Sequence, residues 1–243
     1  MRRVLSIMTV TLAAAALTAA PANAALPAGV YFQDAGTLAG WSSSYTQKSG
    51  VIRTITSPSY KSGNAIEARQ TYINETGGYH SETIKAGAQS INTDRYYGQA
   101  IYLPANWQFH NQNVTYQQFS PEDPEGPWLL MYVMNDHLGY GGRAVSGDIG
   151  SIASLRGSWI RIVTRIKLAA SGGAYEVWVN GVKKVSRTGI SLLPSTSKTI
   201  RWSSGIYCTA WRDGTPAGQS QLSIFHDQAR IANSYALAEP ANW

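Results

Sequence analysis

Cysteine is almost missing from this chain: Cys208 is the sole one in 243 residues. No intrachain disulfide can form, so burial of apolar surface must supply the stability, and Cys208 itself reads as a small buried hydrophobe. Phenylalanine is scarce at four, whereas tyrosine and tryptophan number fourteen and eight; large rings with a polar edge suit sugar-binding surfaces as well as cores. No stretch of a dozen residues carries a helical stripe, and beyond the N-terminus no apolar run approaches the roughly 20 residues of a membrane span. His110, His137 and His226 are scattered, lack zinc-ligand spacing and have no cysteine partners, which excludes a transition-metal site of that kind. Charged residues are few at 14%, and their balance is +6. That positive balance suits an anionic partner, but it is too modest to propose nucleic acid, and no nucleic-acid fold signature is present.

The first residues read as a leader. Arg2 and Arg3 precede an apolar stretch from Val4 to about Ala19, followed by the small-residue triplet Ala22-Asn23-Ala24. This is the pattern of a secretory signal peptide cut after Ala24. The expectation is a secreted or periplasmic chain over residues 25–243, folding as one domain, with no membrane association and no subunit partner.

Period-two alternation dominates the rest. From Trp159 to Leu168, Ile160, Ile162, Ile166 and Leu168 point one way, and Arg161, Arg165 and Lys167 point the other, giving one core face and one basic face. Tyr175 to Val179, Asn180-Gly181 and Val182 to Val185 form the strongest hairpin signal in the chain. Further strands are expected over 51–56, 65–72, 82–85, 96–103, 115–119, 129–135, 199–211 and 221–231. Two irregular stretches, 120–127 and 137–158, are rich in glycine, proline and charge, and such loops usually wall a groove. About a dozen short strands in one domain must close into a barrel or stack as two sheets, and the jelly-roll β-sandwich of two antiparallel sheets is the common solution at this length.

Several stretches, in order along the chain, resemble the jelly-roll polysaccharide lyases, and most closely the glucuronan lyases of polysaccharide lyase family 20. They are His80-Ser81-Glu82, Tyr97 to Pro104 running into Trp107, Gln117-Gln118-Phe119, Trp159 to Val163, Val177 to Gly181, Gly205-Ile206-Tyr207, and Phe225-His226-Asp227 with Arg230-Ile231. The resemblance implies a concave sheet that holds the active groove, with His80, Gln118 and Tyr207 as catalytic residues. Gln117 points to the opposite face from Gln118, so strand register decides between them, and Gln118, directly before Phe119, is the expected one. The resemblance also implies a structural calcium ion, with Asp34 and Asp227 as the carboxylates best placed by position, and no organic cofactor.

The chemistry explains why such residue types would be needed. The C5 proton of a uronate is weakly acidic while the neighbouring carboxylate is ionised, so donors must neutralise that charge; the amide of Gln118 and the imidazole of His80 fit. A base must take the proton, and an acid must protonate the departing O4. In a gluco-configured uronate both lie on one side, so Tyr207 alone could serve a syn elimination. A free tyrosine titrates near about 10, so cations are wanted nearby. Arg201 and Arg212 flank its strand. Trp211, sharing the parity of Tyr207 in an unbroken strand, is expected to stack on a sugar ring, and Trp128 and Tyr140 on the two loops are expected to add subsites. Alone, a strand tyrosine is usually structural, His80 a hydrogen-bonded surface histidine, and Gln118 a solvated side chain. The basic stripe of Arg161, Arg165 and Lys167 reads as a solvated face, and Glu122, Asp123 and Glu125, interleaved with prolines, as an acidic loop.

The expected activity is therefore syn β-elimination on an acidic uronic-acid polymer, most closely β-1,4-glucuronan. The alternatives are an alginate lyase of similar fold, since mannuronate also permits syn elimination, and a lectin-like carbohydrate-binding module without chemistry. Hydrolysis ranks last, because the pair of carboxylates two residues apart on one strand that marks sandwich hydrolases is absent.

Overall fold

The structure, a computed structural model, describes residues 25–122, 128–142, 145–193, 198–212, 214 and 218–243. The leader and the acidic residues Asp123 and Glu125 lie outside them. In chain order the strands are β1 (Val30–Asp34), β2 (Ser43–Thr46), β3 (Val51–Ile55), β4 (Ala65–Thr71), β5 (His80–Ser90), β6 (Asp94–Tyr102), β7 (Val114–Pro121) and β8 (Leu129–Met134). They continue with β9 (His137–Gly142), β10 (Gly147–Ser151), β11 (Trp159–Lys167), β12 (Ala169–Val179), β13 (Val182–Leu192), β14 (Thr199–Cys208) and β15 (Gln221–Ala232). Two helical turns, α1 (Thr209–Arg212) and α2 (Tyr235–Ala238), follow β14 and β15.

All pairings are antiparallel and form two sheets. One runs β13-β12-β11-β6-β15-β4-β3, with β1 beside the C-terminal half of β15; the other runs β10-β9-β8-β7-β14-β5-β2. This is the jelly-roll sandwich. Alternation drives it, because each strand turns one set of side chains inward. Tyr97 of β6 meets Phe119 of β7 at 4.9 Å and Trp202 of β14 at 5.4 Å between ring centroids, and Trp41 lies 5.2 Å from Trp202. Each such ring contributes on the order of 2 kcal/mol or more by leaving water. The hairpin at Asn180-Gly181 joins β12 to β13 with φ of 50° and 86°, as a tight turn of this type needs.

The basic stripe falls on the outer face of the first sheet, where its two arginines are paired. Arg165 binds Asp94 and Glu176, both at 2.7 Å, and Arg161 reaches Glu239 at 2.7 Å. Burial opposes the Glu176 charge, but hydrogen bonds from Lys183 and Arg165 outweigh it and hold the carboxyl below its usual range. Within 137–158, read as irregular, β9 and β10 pair and extend the second sheet, and the residues after Ser151 leave it.

Candidate active site

The second sheet carries the groove on its outer face. On β14, Ile200, Trp202, Ile206 and Cys208 are buried in the core, while Arg201, Ser203 and Tyr207 line a cavity of about 560 Å³. The neighbouring strands add His80, Glu82 and Ile84 from β5, Gln118 and Ser120 from β7, Leu130 from β8 and Tyr45 from β2. Register brings them together: Tyr207 pairs with His80, Gly205 with Glu82, and Ser203 with Gln118. Gly205 is needed here. At its φ of 149°, an added Cβ would lie 2.1 Å from the Ser81 carbonyl oxygen, so a larger residue would force β14 away from β5 and shift Tyr207 from His80. The small side chains of Ser120 and Ser203 keep the floor open.

The three residues expected to do the chemistry thus share one spot. The Tyr207 and His80 rings stack at 3.8 Å with an interplanar angle of 11°, and Tyr45 flanks the other side of His80 at 5.3 Å. Gln118 is nearly buried, and its Nε2 donates to Glu82 Oε1; the other carboxylate oxygen of Glu82 bonds His80 Nδ1 at 2.7 Å. Glu82 is 4% exposed, and a carboxylate so buried requires such donors. It ties His80 and Gln118 into one unit. Arg201 lines the same cavity, and its Nε has no hydrogen-bond partner. Arg212 lines it from α1.

Gln117, the register alternative to Gln118, and the three rings expected as subsites lie elsewhere. Gln117 faces the interior, wholly buried, with neither amide atom hydrogen-bonded. Trp211 does not continue the β14 parity, because the strand ends at Cys208 and the helical turn of α1 carries the indole into the core, 5.4 Å from Tyr79. Trp128 is buried beside β8, and Tyr140, an inward position of β9, packs at 5.1 Å on Tyr175. None of these rings can meet a sugar. Glu82, Tyr45 and Ser203 were not singled out from the sequence, although Glu82 stands two residues from His80 on one strand and so must share its face.

The carboxylates expected to hold calcium serve two loops. Asp34 accepts from Thr37 N at 2.7 Å, Thr37 Oγ1 at 2.8 Å and Gly40 N at 3.4 Å, closing its own turn. Burial raises its titration, and the Thr37 bonds oppose that rise. Asp227 accepts from Tyr60 N at 2.9 Å and Gln228 N at 2.6 Å. Ser62 Oγ sits 3.0 Å from Asp227 Oδ1 and 2.8 Å from the Asn64 carbonyl oxygen. One hydroxyl hydrogen facing two acceptors leaves an oxygen-rich spot of the chemistry a hard cation takes. Among the described residues no three His, Cys, Asp or Glu side chains gather as a metal cluster, so any ion there would rely on hydroxyl and carbonyl oxygens beside Asp227.

Fold and groove together define a carbohydrate-active jelly roll. A polysaccharide lyase family model matches residues 33–230, and the chain belongs to that family. Among solved structures, endo-β-1,4-glucuronan lyase from the fungus Trichoderma reesei superimposes with a TM-score of 0.82 at 22% identity, covering 88% of this chain and 100% of that one. The cellulose-induced protein Cip1 gives 0.54 at 14% identity, covering 78% of this chain and 88% of that one. Alginate lyase AlgAT5 of polysaccharide lyase family 7 gives 0.51 at 13% identity, covering 78% and 85%. At these identities the likeness is one of fold. No curated protein sequence matches the chain.

Proposed function

We propose that this polysaccharide lyase is exported and cleaves β-1,4-linked glucuronan by syn β-elimination. The observation that carries the reading is the face-to-face stack of Tyr207 on His80, in a groove that also holds the Gln118 amide and the Arg201 guanidinium. A uronate bound there would place its carboxylate against the second N–H of Gln118 and against Arg201, which draw off the negative charge that builds at C5. The Tyr207 oxygen takes the C5 proton, the electron pair of that C–H bond forms the C4–C5 double bond, and the C4–O4 bond breaks. The same phenol then returns the proton to O4, so the enzyme ends as it began. The His80 imidazole, held by Glu82 through Nδ1, lies against the ring that must carry the phenolate charge.

The shape of the fold supports glucuronan over alginate, since the glucuronan lyase superimposes far better than the alginate lyase. Calcium belongs to the same proposal, held by Asp227 with oxygens of Ser62 and Asn64, where it would brace a loop outside the groove. Among the described residues no helix is long and apolar enough to cross a membrane, and export rests on the leader pattern of residues 1–24.

The test is ultraviolet absorbance of the unsaturated product on glucuronan, alginate, pectate, hyaluronan and heparin, with wild type and Tyr207→Phe. Signal on glucuronan that disappears in the phenylalanine variant is expected. Signal on alginate instead would reassign the substrate, and wild-type turnover in Tyr207→Phe would remove tyrosine as the base.

A further inference from the structure

A second cavity of about 470 Å³ opens on the outer face of the same sheet, lined among others by Tyr132, Met134, Asp136, His137 and Asp148. Its position is fixed by register. Asp148 pairs with Gly139, Gly139 with Tyr132, Tyr132 with Thr115, Thr115 with Tyr207, and Tyr207 with His80. These residues form one row across the sheet, perpendicular to the strands. Tyr132 is two strands from Tyr207, about 10 Å away, which is roughly two rings of an extended β-1,4 chain.

The tyrosine in that cavity is laid flat. An added Cβ on Gly139 would stand 2.4 Å from Tyr132 Cε2, and one on Gly141 would stand 3.5 Å from its Cε1, so the ring covers β9 at places where that strand carries no side chain. Tyr132 is only half-buried, which leaves the ring face toward the groove. Beside it, His137 Nδ1 bonds Asp148 at 2.8 Å, and Asp136 accepts from Ser151 Oγ at 2.7 Å. Among the described residues the lining holds no lysine or arginine. An aromatic floor with acceptor groups at the rim suits the hydroxyl-bearing face of a sugar ring and repels a carboxylate.

We infer that Tyr132, with His137 and Asp148, forms a distal subsite that stacks a pyranose ring of the polymer with its carboxylate turned away from the sheet, so that the chain crosses the strands along this row. The inference rests on the proposed action on an acidic polysaccharide, and it makes turnover depend on substrate length. A size-graded series of glucuronan oligosaccharides tests it. In Tyr132→Ala, the loss of kcat/KM on polymer should exceed the loss on the shortest cleaved oligosaccharide by about 5- to 10-fold, through KM. Gly139→Ala, whose methyl group displaces the ring without removing it, should reproduce that length-dependent loss, and Tyr132→Phe should keep the wild-type length dependence. Retardation of the proteins in gels containing the polymer reads the same subsite without turnover and should weaken in Tyr132→Ala and Gly139→Ala. Equal losses at all lengths with unchanged retardation, or no loss in either variant, would overturn the subsite. A wild type that yields no unsaturated product from any uronan would instead overturn the proposed activity, with retardation still deciding on the subsite.

Discussion

Replacing Glu82 by glutamine should cripple the groove while leaving its shape intact. An ionised carboxylate only accepts hydrogen bonds, and Glu82 accepts two, from His80 Nδ1 and Gln118 Nε2. A glutamine has one accepting and one donating end. If its oxygen faces Gln118, its amide N–H meets His80 Nδ1 and forces the imidazole into the other tautomer. If its oxygen faces His80, two amide donors confront each other and Gln118 must turn. Two charge-assisted bonds, each contributing about 1.5–3 kcal/mol, are then replaced by one neutral bond of about 1 kcal/mol and one mismatched contact. The first outcome moves the proton of the imidazole stacked on Tyr207 from Nδ1 to Nε2, and the second turns away the amide that would meet the uronate carboxylate; either costs about 10²- to 10³-fold in kcat. The assay is steady-state formation of the unsaturated product with circular dichroism as the fold check; KM should change little, since Arg201 is untouched. A Glu82→Gln enzyme with wild-type kcat, or one impaired only in KM, would show that Glu82 does not position the pair.

Three other outcomes are expected. Arg201→Ala should raise KM by about 10-fold, or about 1.4 kcal/mol, more than it lowers kcat, and flatten the salt dependence of kcat/KM; an unchanged KM would remove Arg201 from substrate binding. His226 is wholly buried without a hydrogen-bond partner, and burial lowers its pKa to about 3. Below the ordinary histidine value the unfolded chain takes up a proton that the folded chain refuses, so stability present above about pH 6.5 is lost as pH falls toward 3, by about 1.4 kcal/mol per unit. Urea unfolding at several pH values should find a shallower acid slope in His226→Leu, and identical slopes would refute the assignment. Chelation should lower the thermal midpoint of the wild type by several degrees, an effect that Asp227→Asn removes; a midpoint indifferent to chelator and to added calcium would dismiss the ion.

Much of this was legible along the chain, for identifiable reasons. Asn180-Gly181 and the alternation of β11 announce their strands through local geometry alone. The β9–β10 hairpin was hidden because Gly139, Gly141, Gly142 and Gly147 read as loop, whereas in the sheet Gly139 and Gly141 make room for the ring of Tyr132, Gly147 for that of Tyr140, and Gly142 for the backbone of Trp128. His80, Gln118 and Tyr207 emerged from motif likeness, and no local pattern would have joined three segments so far apart. Trp128, Tyr140 and Trp211 misled because a large aromatic side chain suits a sugar platform and a core equally well, and only the end of β14 at Cys208 or the inward parity of β9 separates the two. Arg161 and Arg165 read as a solvated face from alternation alone, and the carboxylates that hold them, Glu239, Asp94 and Glu176, stand on other segments that no local pattern links to them.

Along β14 the groove residues Arg201, Ser203 and Tyr207 alternate with the core residues Trp202, Ser204 and Ile206. What the enzyme grips and what keeps it folded are therefore written into the same ribbon at odd and even places. Evolution, or an engineer, can rewrite the first alphabet without misspelling the second, so a change of preferred sugar need not be preceded by a gain in robustness.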